Sequence, residues 1–353
     1  PRERTVTTGK TITFGIPCYN SAEYMDHCIS SILEGSDYAE DVQIVIVDDG
    51  STKDNTYEKA LEWQNRYPNI VEAVHQENGG HGMAVLAALE HAKGLYFKIV
   101  DSDDWLDDDA LSKLLSTLRD FEWRDMRVDL VITNYVYEHV EDNTAFARKF
   151  TKNMPTGRFF GWEDTKPFKG SSVLLMHALM YKTDVLRGCG LQLPKHTFYV
   201  DNIFAYVPLP YVRKMYYIDV DFYRYYIGRA DQSVNMSVFA KRTEQQNRVM
   251  RIMADAYDIR EIKKESPRLA KYMLHTLACL MIVTLTFTLA EPTNEKYAAL
   301  KELWAHIKEK DRWLHGKLKY RSYPAIYTYL PRPVGRFVIV QGYKLTAKKV
   351  KLG

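Results

Sequence analysis

At residues 97–106 the chain reads Phe97-Lys98-Ile99-Val100-Asp101-Ser102-Asp103-Asp104-Trp105-Leu106. A short apolar run, rich in β-branched and aromatic residues, ends there in three carboxylates within four positions. This pattern is typical of a buried strand that delivers acidic side chains to the carboxyl edge of a sheet. Aspartates at alternate positions can hold a hard divalent cation through oxygen ligands, and Mg²⁺ or Mn²⁺ commonly keeps room for substrate phosphates.

A simpler interpretation is that one of these acids only caps the helix predicted from Asp107 to Leu118, since Asp is a preferred N-cap residue. One carboxylate would satisfy that need. Three crowded carboxylates repel one another unless a cation, a basic group or water offsets their charge. We therefore favour a site for a metal ion and a phosphate at this edge.

The composition is that of an ordinary soluble globular protein, with 46% apolar and 26% charged residues. Its 353 residues allow one large domain or two of ordinary size. The four cysteines show no paired metal-ligand spacing, which favours free thiols in a reducing compartment. The chain opens without an apolar leader, so we expect a cytoplasmic location.

Charge is distributed unevenly along the chain. From Arg312 onward there are ten Lys and Arg and no Asp or Glu, so the net charge of +3 leaves −7 for the preceding residues. A basic, aromatic-rich terminal segment suits an anionic membrane surface, which predicts a peripheral location on the inner face of the plasma membrane. Nucleic acid is the rival partner, but no recognition motif accompanies the charge, so none is expected. The third interpretation is that the basic segment is a solvated tail without a specific partner.

The first half of the chain alternates predicted strands with helices of about a dozen residues. We expect strands at 10–16, 42–47, 70–75 and 97–100, and helices at 22–33, from 51 or 54 to 66, at 83–92 and at 107–118. This alternation predicts βαβ units on a parallel sheet, where ligands bind outside the carboxyl ends of the strands. A dinucleotide site is excluded, because neither a Gly-x-Gly-x-x-Gly turn nor a P-loop lysine follows the first strand.

Four short motifs stand at these strand ends in series. They are Pro17-Cys18-Tyr19-Asn20, Val47-Asp48-Asp49-Gly50-Ser51, Asn78-Gly79-Gly80 and Asp101-Ser102-Asp103-Asp104. Over residues 10 to about 120 their order and spacing resemble those of the family 2 glycosyltransferases of the GT-A fold. The resemblance implies an α/β, Rossmann-like mixed sheet flanked by helices. It also implies a nucleotide-sugar donor, most often a UDP-sugar, and inversion at the anomeric carbon.

The same resemblance implies roles for residues of the motifs. Pro17 and Tyr19 would flank the nucleotide, and Asp49 would hydrogen-bond the uracil. Asp101 and Asp103 would form the Asp-x-Asp pair that binds Mn²⁺ or Mg²⁺, while Asp104 would take a ribose or a metal contact. The remaining donor-side candidates are Asn20, Asn78, Gly79 and Ser102.

Inverting transfer also needs a base that takes the proton of the acceptor hydroxyl as its oxygen attacks the anomeric carbon. In the resembling family this base is the Asp of a Glu-Asp pair, well past the metal motif and closely followed by an aromatic residue. Asp201 stands 98 residues after Asp103 with Phe204 behind it, and Val200 replaces the usual Glu. We therefore predict that Asp201 is the catalytic base. The alternative is that Asp201 only caps the following helix.

Beyond residue 120 the pattern is mixed. We expect paired strands at 129–137 and 144–151, a helix or strand–helix junction at 171–186, and a strand pair at 216–226. His177 could be a ligand, but a satisfied, partly buried histidine is favoured. Arg229, in the polar loop 228–235, could approach the donor's diphosphate because a guanidinium binds two oxygens, and a surface arginine is equally compatible.

The last third of the chain is predicted to be helical, at 239–256, 266–289, 293–308 and 334–350. Residues 273–290 carry no charged side chain apart from His275, a length that is marginal for a membrane span. Four threonines and the histidine weaken that interpretation. A core helix or a homodimer contact is favoured.

These observations predict a GT-A catalytic domain at 1–235, with a nucleotide-sugar half at about 10–120 and an acceptor half at 121–235, followed by a helical, basic region at 236–353. The expected activity is inverting transfer of a sugar to a glycan or lipid-linked acceptor in bacterial surface polysaccharide synthesis. A catalytically inactive nucleotide-sugar-binding partner of a synthase complex is the alternative. A sugar nucleotidyltransferase would need a glycine-rich, basic loop after the first strand, and the first motif does not supply it.

Overall fold

The computed structural model describes residues 9–34, 41–228 and 241–349. Its strands are β1 (Ile12–Cys18), β2 (Val42–Asp48), β3 (Val71–His75), β4 (Tyr96–Ile99), β5 (Trp105–Leu106), β6 (Leu130–His139), β7 (Thr144–Arg148), β8 (Phe159–Phe160), β9 (Leu179–Lys182) and β10 (Met215–Ile227). Within the described residues they form one mixed sheet in the order β3-β2-β1-β4-β9-β6-β10-β5. β7 pairs beside β6, and β8 beside β10.

The part of the sheet before residue 100 is parallel, as the alternating pattern predicts. β1 pairs with both β2 and β4, and β2 pairs with β3, all in parallel register. Every residue of β1, β2 and β4 is buried, which explains their continuous apolar runs. The intervening helices are α1 (Met25–Glu34), α2 (Thr56–Arg66) and α3 (His81–Glu90). The carboxyl ends of these four strands therefore meet at one edge.

The strand β1 continues past its predicted end at Ile16 to Cys18. Pro17 pairs with Val47 on β2, while the pairing with β4 ends at Gly15, two residues earlier. The proline therefore stands where β1 has one paired neighbour, a position in which a missing N–H is tolerated.

The second half of the sheet attaches through β9, which runs antiparallel to β4 on one side and to β6 on the other. The predicted pair at 129–137 and 144–151 is confirmed as β6 and β7. Of the two interpretations of 171–186, the strand–helix junction is right, since β9 leads into α5 (Thr183–Gly188). The strand pair predicted at 216–226 is wrong. Those residues lie in one strand, β10, whose register against β6 shifts around Asp221.

Two helices in the sheet region bear on the acidic residues. α4 (Asp108–Trp123) begins after Asp107, whose carboxylate accepts a hydrogen bond from the Ala110 N–H at 3.1 Å. Asp107 is therefore the N-cap, and the preceding aspartates are not needed for that purpose. α6 (Asp201–Tyr206) begins at Asp201 itself.

From residue 243 onward the described chain consists of helices joined by short turns. They are α7 (Thr243–Asp255), α8 (Ile259–Glu265), α9 (Pro267–Ala290), α10 (Asn294–Lys310), α11 (Arg312–Arg321), α12 (Ala325–Tyr329) and α13 (Arg332–Lys349). One continuous cluster of buried side chains extends from Ile12 in the sheet to Met281 and Leu318 in the helices. The helices therefore share a core with the sheet.

The helix α9 is long and apolar enough to cross a membrane by length and composition, and 61% of its most apolar stretch is buried inside the protein. Ser266 caps its start and Pro267 occupies the first turn, where a missing N–H costs nothing. The hydroxyls of Thr284, Thr286 and Thr288 each bond a carbonyl four residues back, so they are satisfied in apolar surroundings. This burial is typical of a core helix.

The turn before β4 allows a first test of the packing. Gly94→Ala is expected to lower the free energy of unfolding by about 2 kcal/mol, because the added Cβ would lie 2.4 Å from the backbone nitrogen of Thr13 on β1. Gly188→Ala is the matched control, since nothing lies within 4 Å of its added Cβ, and its effect should stay below about 0.5 kcal/mol. Urea titrations measure both. If the Gly94→Ala and Gly188→Ala variants are equally stable, the close approach of residue 94 to Thr13 does not exclude a side chain at residue 94.

Candidate active site

The acidic stretch after β4 folds back on itself at the carboxyl edge of the sheet. The Asp104 N–H donates to the Asp101 carbonyl oxygen at 3.0 Å. Asp104 is buried, and its carboxylate accepts from the Tyr223 hydroxyl at 2.5 Å and from the Tyr226 N–H at 2.9 Å. Burial, followed by the charges of Asp103 and Asp101, raises the pKa of Asp104 well above its usual range. Two hydrogen bonds from β10 therefore fix this carboxyl group.

Asp101 contacts a histidine that the sequence did not single out. His81, the first residue of α3, has its Nε2 atom 2.9 Å from Asp101 Oδ1. Burial alone would raise the pKa of Asp101, but the hydrogen bond and charge of His81 outweigh burial and lower it. Burial likewise opposes protonation of His81, yet the bond to Asp101 raises the pKa of the imidazole. The two side chains form a partly exposed ion pair at the sheet edge.

A second histidine, His177, lies beside the same acids. One potential ligand atom from each of Asp101, Asp104 and His177 lies within 4.8 Å of the other two. The buried imidazole stacks on Tyr225, and its Nδ1 has no hydrogen-bond partner among the described residues. The expectation of a satisfied histidine is therefore wrong. Burial lowers the pKa of His177 to about 4, so the ring is neutral and can act as a ligand.

Lys98 supplies a positive charge beneath this cluster. Its side chain is buried in β4, and burial lowers its pKa to about 7, an effect that the acidic neighbours oppose. The ammonium donates to carbonyl oxygens at 3.1, 2.5 and 3.2 Å, those of Met176, His177 and Leu179. Lys98 therefore ties the segment that carries His177 to the strand that ends in the aspartates.

The second motif is joined to the third through Asp49. Its buried carboxylate accepts from the N–H groups of Gly79 at 2.9 Å and Gly80 at 2.7 Å, and from Gln76 Nε2 at 2.6 Å. Asn78 Nδ2 donates to the Asp49 carbonyl oxygen at 2.9 Å. These charge-assisted bonds hold the glycine turn that leads into α3. A uracil would have to share the same oxygens, and that contact stays a prediction.

The first motif is bound to its neighbours in the same way. Asn20 has a φ of 50°, and its Oδ1 accepts from two backbone N–H groups of the turn after β2, at 3.2 and 3.0 Å. Ser102 Oγ donates to Ser21 Oγ at 2.9 Å, which links the acidic turn to the first turn. Tyr19 exposes 50% of its surface and presents an aromatic face at this edge. The four motifs therefore form one connected surface.

Two glycines allow the segment before Asp201 to reach that surface. A Cβ on Gly80 would lie 2.9 Å from the backbone nitrogen of His196, and one on Gly82 would lie 2.8 Å from the Cβ of Leu193. Gly80 also has a φ of 86°, which side chains rarely adopt. The glycine turn therefore serves two purposes, because it binds Asp49 and accommodates the chain that ends in Asp201.

Asp201 begins α6 at the first helical position, after the N-cap residue Val200. Burial raises the pKa of its carboxyl group to about 6. The charge of His81 opposes this shift, and that of Asp101 adds to it. Tyr199 in the preceding segment has a φ of 64°, a strained conformation of a kind that clusters at functional sites. Asp201 thus lies within electrostatic reach of the acidic turn and has a pKa suited to accepting a proton near neutral pH.

The structure connects most of the predicted site residues at one edge. They are Tyr19, Asn20, Asp49, Asn78, Gly79, Asp101, Ser102, Asp104 and Asp201. Pro17 is buried in β1 beneath them. Asp103 is partly exposed and is not a member of the three-residue group around His177 in the described chain. Arg229 lies outside the described residues.

Sequence reasoning missed three residues of this site. Lys98 could have been noticed as a charge inside an apolar strand, and His81 as the residue directly after a glycine turn at the carboxyl edge. Tyr223 carries no such signal, because its contact with Asp104 joins positions 119 residues apart.

Comparisons with known proteins find glycosyltransferases that are similar to the first half of this chain. The family model for glycosyl transferase family 2 matches residues 13–176. The glycosyltransferase GlyG of Streptococcus pneumoniae is 34% identical over 139 residues, 38% of this chain and 42% of that protein. The poly(ribitol-phosphate) beta-glucosyltransferase of Bacillus spizizenii is 36% identical over 101 residues, 28% of this chain and 16% of that protein. The chain thus matches less than half the length of these curated relatives.

Solved structures confirm the expected GT-A architecture with a helical C-terminal region. TarS 1–349 of S. aureus superposes with a TM-score of 0.64 at 16% identity, over 95% of this chain and 92% of that chain. The mannosyltransferase PcManGT of Pyrobaculum calidifontis gives 0.52 at 16% identity, over 97% of this chain and 87% of that chain. At this identity the likeness concerns the fold alone.

The bonds of Asp49 make a second prediction. Asp49→Asn is expected to lower the free energy of unfolding by about 2 kcal/mol, because a neutral amide replaces the charged acceptor of two backbone N–H groups. The amides of Gly79 and Gly80 should also exchange hydrogen faster. Urea titration and hydrogen-exchange mass spectrometry measure the two effects. Asp109→Asn, an exposed carboxylate in α4, is the control, and unchanged exchange in Asp49→Asn would contradict the assignment.

Proposed function

Residues 13–176 match the family model for glycosyl transferase family 2, and on that premise we propose that the chain is an inverting glycosyltransferase that uses a nucleotide-sugar donor. One observation carries the proposal. Asp201 interacts electrostatically with Asp101 and His81 although 100 residues separate it from Asp101 in the chain. A carboxylate with a raised pKa beside a separate acidic turn provides the two functions that the reaction needs, a base and a diphosphate site.

The proposed donor is a UDP-sugar. TarS, which shares the fold, has been solved with UDP and with UDP-GlcNAc. Here the exposed ring of Tyr19, next to Pro17, would stack on the base, and Asp49 would accept from the uracil. The remaining donor contacts would come from Asn20, Asn78, Gly79, Ser102 and Arg229. PcManGT, of the same fold, was solved with GDP-Man, so binding should be measured with both UDP and GDP.

We propose that Mn²⁺ or Mg²⁺ binds at Asp101 and Asp103, with Asp104 and His177 at the same site. The residues fit such an ion, because carboxylates and one neutral imidazole, whose Nδ1 has no partner among the residues that the structure describes, form a donor set suited to Mn²⁺. When bound, the ion would offset the charge that develops on the departing nucleotide diphosphate. PcManGT was solved with Mn²⁺.

Asp201 is the proposed general base. As the acceptor hydroxyl oxygen forms its bond to the anomeric carbon, the bond from that carbon to the nucleotide diphosphate breaks, and the hydroxyl proton passes to the Asp201 carboxylate. Attack from the face opposite the leaving group inverts the anomeric configuration. Asp201 is suited to this role because its raised pKa lies closer to neutrality than that of an ordinary aspartate.

The proposed acceptor is a glycan or a lipid-linked sugar of a bacterial surface polysaccharide. The relatives support this setting, since one carries the name poly(ribitol-phosphate) beta-glucosyltransferase and others are named chondroitin and hyaluronan synthases. The proposal includes a cytoplasmic location, peripheral on the inner face of the plasma membrane. The proposal also includes a homodimer through the helical region, which light scattering would detect.

The second candidate function is a catalytically inactive nucleotide-sugar-binding partner of a synthase complex. It is favoured by the absence of a glutamate before Asp201, where Val200 stands. Hydrolysis of UDP-sugars or their transfer by the purified chain would separate the two functions, because an inactive partner binds the donor without consuming it.

The base assignment predicts a pH profile. A carboxylate with a pKa raised to about 6 is protonated below that pH, so kcat/KM should fall about tenfold per pH unit below about 6 and level off above it. Asp201→Asn should lower kcat by about 10³-fold with donor affinity retained. Asp184→Asn, a 73% exposed carboxylate in α5, is the control. Normal turnover of Asp201→Asn would place the base elsewhere.

The metal proposal predicts weaker Mn²⁺ binding in two variants. Asp103→Ala and His177→Phe should each reduce the affinity for Mn²⁺ by about tenfold, as measured by electron paramagnetic resonance with Mn²⁺ alone. Phenylalanine keeps the ring that stacks on Tyr225 and removes only the nitrogens. Asp109→Asn again serves as the control. Wild-type affinity in His177→Phe would remove His177 from the ligand set, and in Asp103→Ala it would remove Asp103.

A further inference from the structure

The C-terminal helices expose a concentration of large apolar side chains. Of fifteen such exposed side chains in the described residues, nine lie between Tyr320 and Leu345. Tyr329 is 69% exposed and Phe337 is 65% exposed. Scattered exposed apolar residues need no explanation, but a cluster within one segment marks an interaction surface. We call the surface formed by residues 320–345 the C-terminal face.

A groove of about 670 Å³ lies on this face, between α9 and the segment from Arg321 to Leu330. Leu274 and Ala278 line it from α9, and Ile326, Tyr329 and Leu330 line it from the other side. The groove is open to solvent along an apolar floor. It therefore offers an apolar ligand a shallow, open groove.

Two basic side chains, Lys271 and Arg321, line the same groove. Both are exposed. The surrounding segment strengthens the charge, since residues 312–349 contain nine Lys and Arg and no Asp or Glu. An apolar groove with cations beside it matches an amphiphile that has an acidic head and a hydrocarbon body.

The charge also decides between the partners that such a face can have. A second copy of the chain that docked through the same face would bring two basic surfaces together without acids to offset them. A nucleic acid would supply phosphates but would leave Ile326, Tyr329 and Leu330 facing a polar partner. A bilayer containing acidic phospholipids satisfies both features, because it offers phosphates at its surface and hydrocarbon beneath.

We propose that the C-terminal face docks on a bilayer containing anionic phospholipid. Ile326 and Tyr329 enter the boundary between headgroups and acyl chains, and Lys271 and Arg321 bind lipid phosphates. The purpose of the docking rests on the proposed function, because docking would give the enzyme access to an acceptor in the membrane. The docking itself requires no catalysis.

The face is connected to the active site through one short segment. Tyr323 Oη accepts from the Gly170 N–H at 3.1 Å, and His275 Nε2 lies 3.0 Å from the Ser172 carbonyl oxygen. A few residues further along, the chain reaches His177 beside the acidic turn. A membrane bound at the C-terminal face therefore stands in a defined relation to the site.

The test is co-sedimentation of the full chain with vesicles. Vesicles of phosphatidylcholine with about one third phosphatidylglycerol are compared with vesicles of phosphatidylcholine alone, at about 0.1 M salt. At least tenfold stronger binding to the anionic vesicles is expected, with most of it lost at about 1 M salt. Equal binding to both vesicle types, or binding to neither, would overturn the proposal.

Two double variants locate the binding surface. Ile326→Ser with Tyr329→Ser removes the apolar contact, and Lys271→Glu with Arg321→Glu reverses the charge, and each should weaken vesicle binding at least tenfold. The matched control is Trp123→Ser with Lys113→Glu, an exposed apolar residue and an exposed lysine on α4. Circular dichroism melting and UDP-sugar turnover with a soluble acceptor establish that each variant is folded. If the control weakens binding as much as the groove variants, the assignment of the face is wrong.

An oligonucleotide competition excludes a general polyanion site. A single-stranded oligonucleotide should not displace the protein from vesicles at equal phosphate concentration. Displacement of the unmodified chain by the oligonucleotide would overturn the proposal in favour of nucleic acid. For the unmodified chain, vesicle binding without transfer would count against the proposed function alone, and transfer without vesicle binding would count against the docking alone.

Discussion

Carboxylates crowded at one edge of the sheet need neighbouring groups that offset their charge. The architecture of the site depends on which groups this chain uses for that purpose. Removing an acid from water costs several kcal/mol unless it is paired or hydrogen-bonded. Asp101 is paired with His81, Asp104 is bonded by Tyr223, and Lys98 adds a buried positive charge below them. Each partner comes from a different element. The need to offset charge therefore joins β4, α3 and β10 into one rigid site.

The second constraint is the close approach of chain segments that lie far apart in sequence. The glycine turn before α3 bonds Asp49 on one side and leaves room for the segment 193–200 on the other. A side chain at Gly80 or Gly82 would displace that segment, and Asp201 with it. The turn thus links the donor side of the site to the residue proposed as its base. The side chains of the site are thus held in position before the substrate binds.

The helical region is part of the same body as the sheet. Its long helix α9 is largely buried, and the apolar core is continuous from β1 to α11. This burial accounts for the apolar composition of α9. It also leaves the exposed apolar residues of the chain concentrated at the C-terminal face, where the basic charge is concentrated too. The C-terminal face therefore combines exposed apolar side chains with basic charge.

The sequence by itself determined the elements and their order, because periodicity, caps and turn residues act within a few neighbouring positions. The parallel strands, the acidic ends at one edge, the helix that begins near Asp107 and the helical last third could all be predicted from such local patterns, and the four motifs carried the resemblance to a known family. Only the tertiary structure decided which groups neutralise the acids, that His177 Nδ1 has no partner within the described part of the chain, and that residues 215–227 form one strand rather than two. Those features depend on strand pairing and side-chain contacts between positions up to 122 residues apart, such as Asp104 with Tyr226. The sequence around either residue does not reveal a contact of that range, because the two residues come together only when the chain folds.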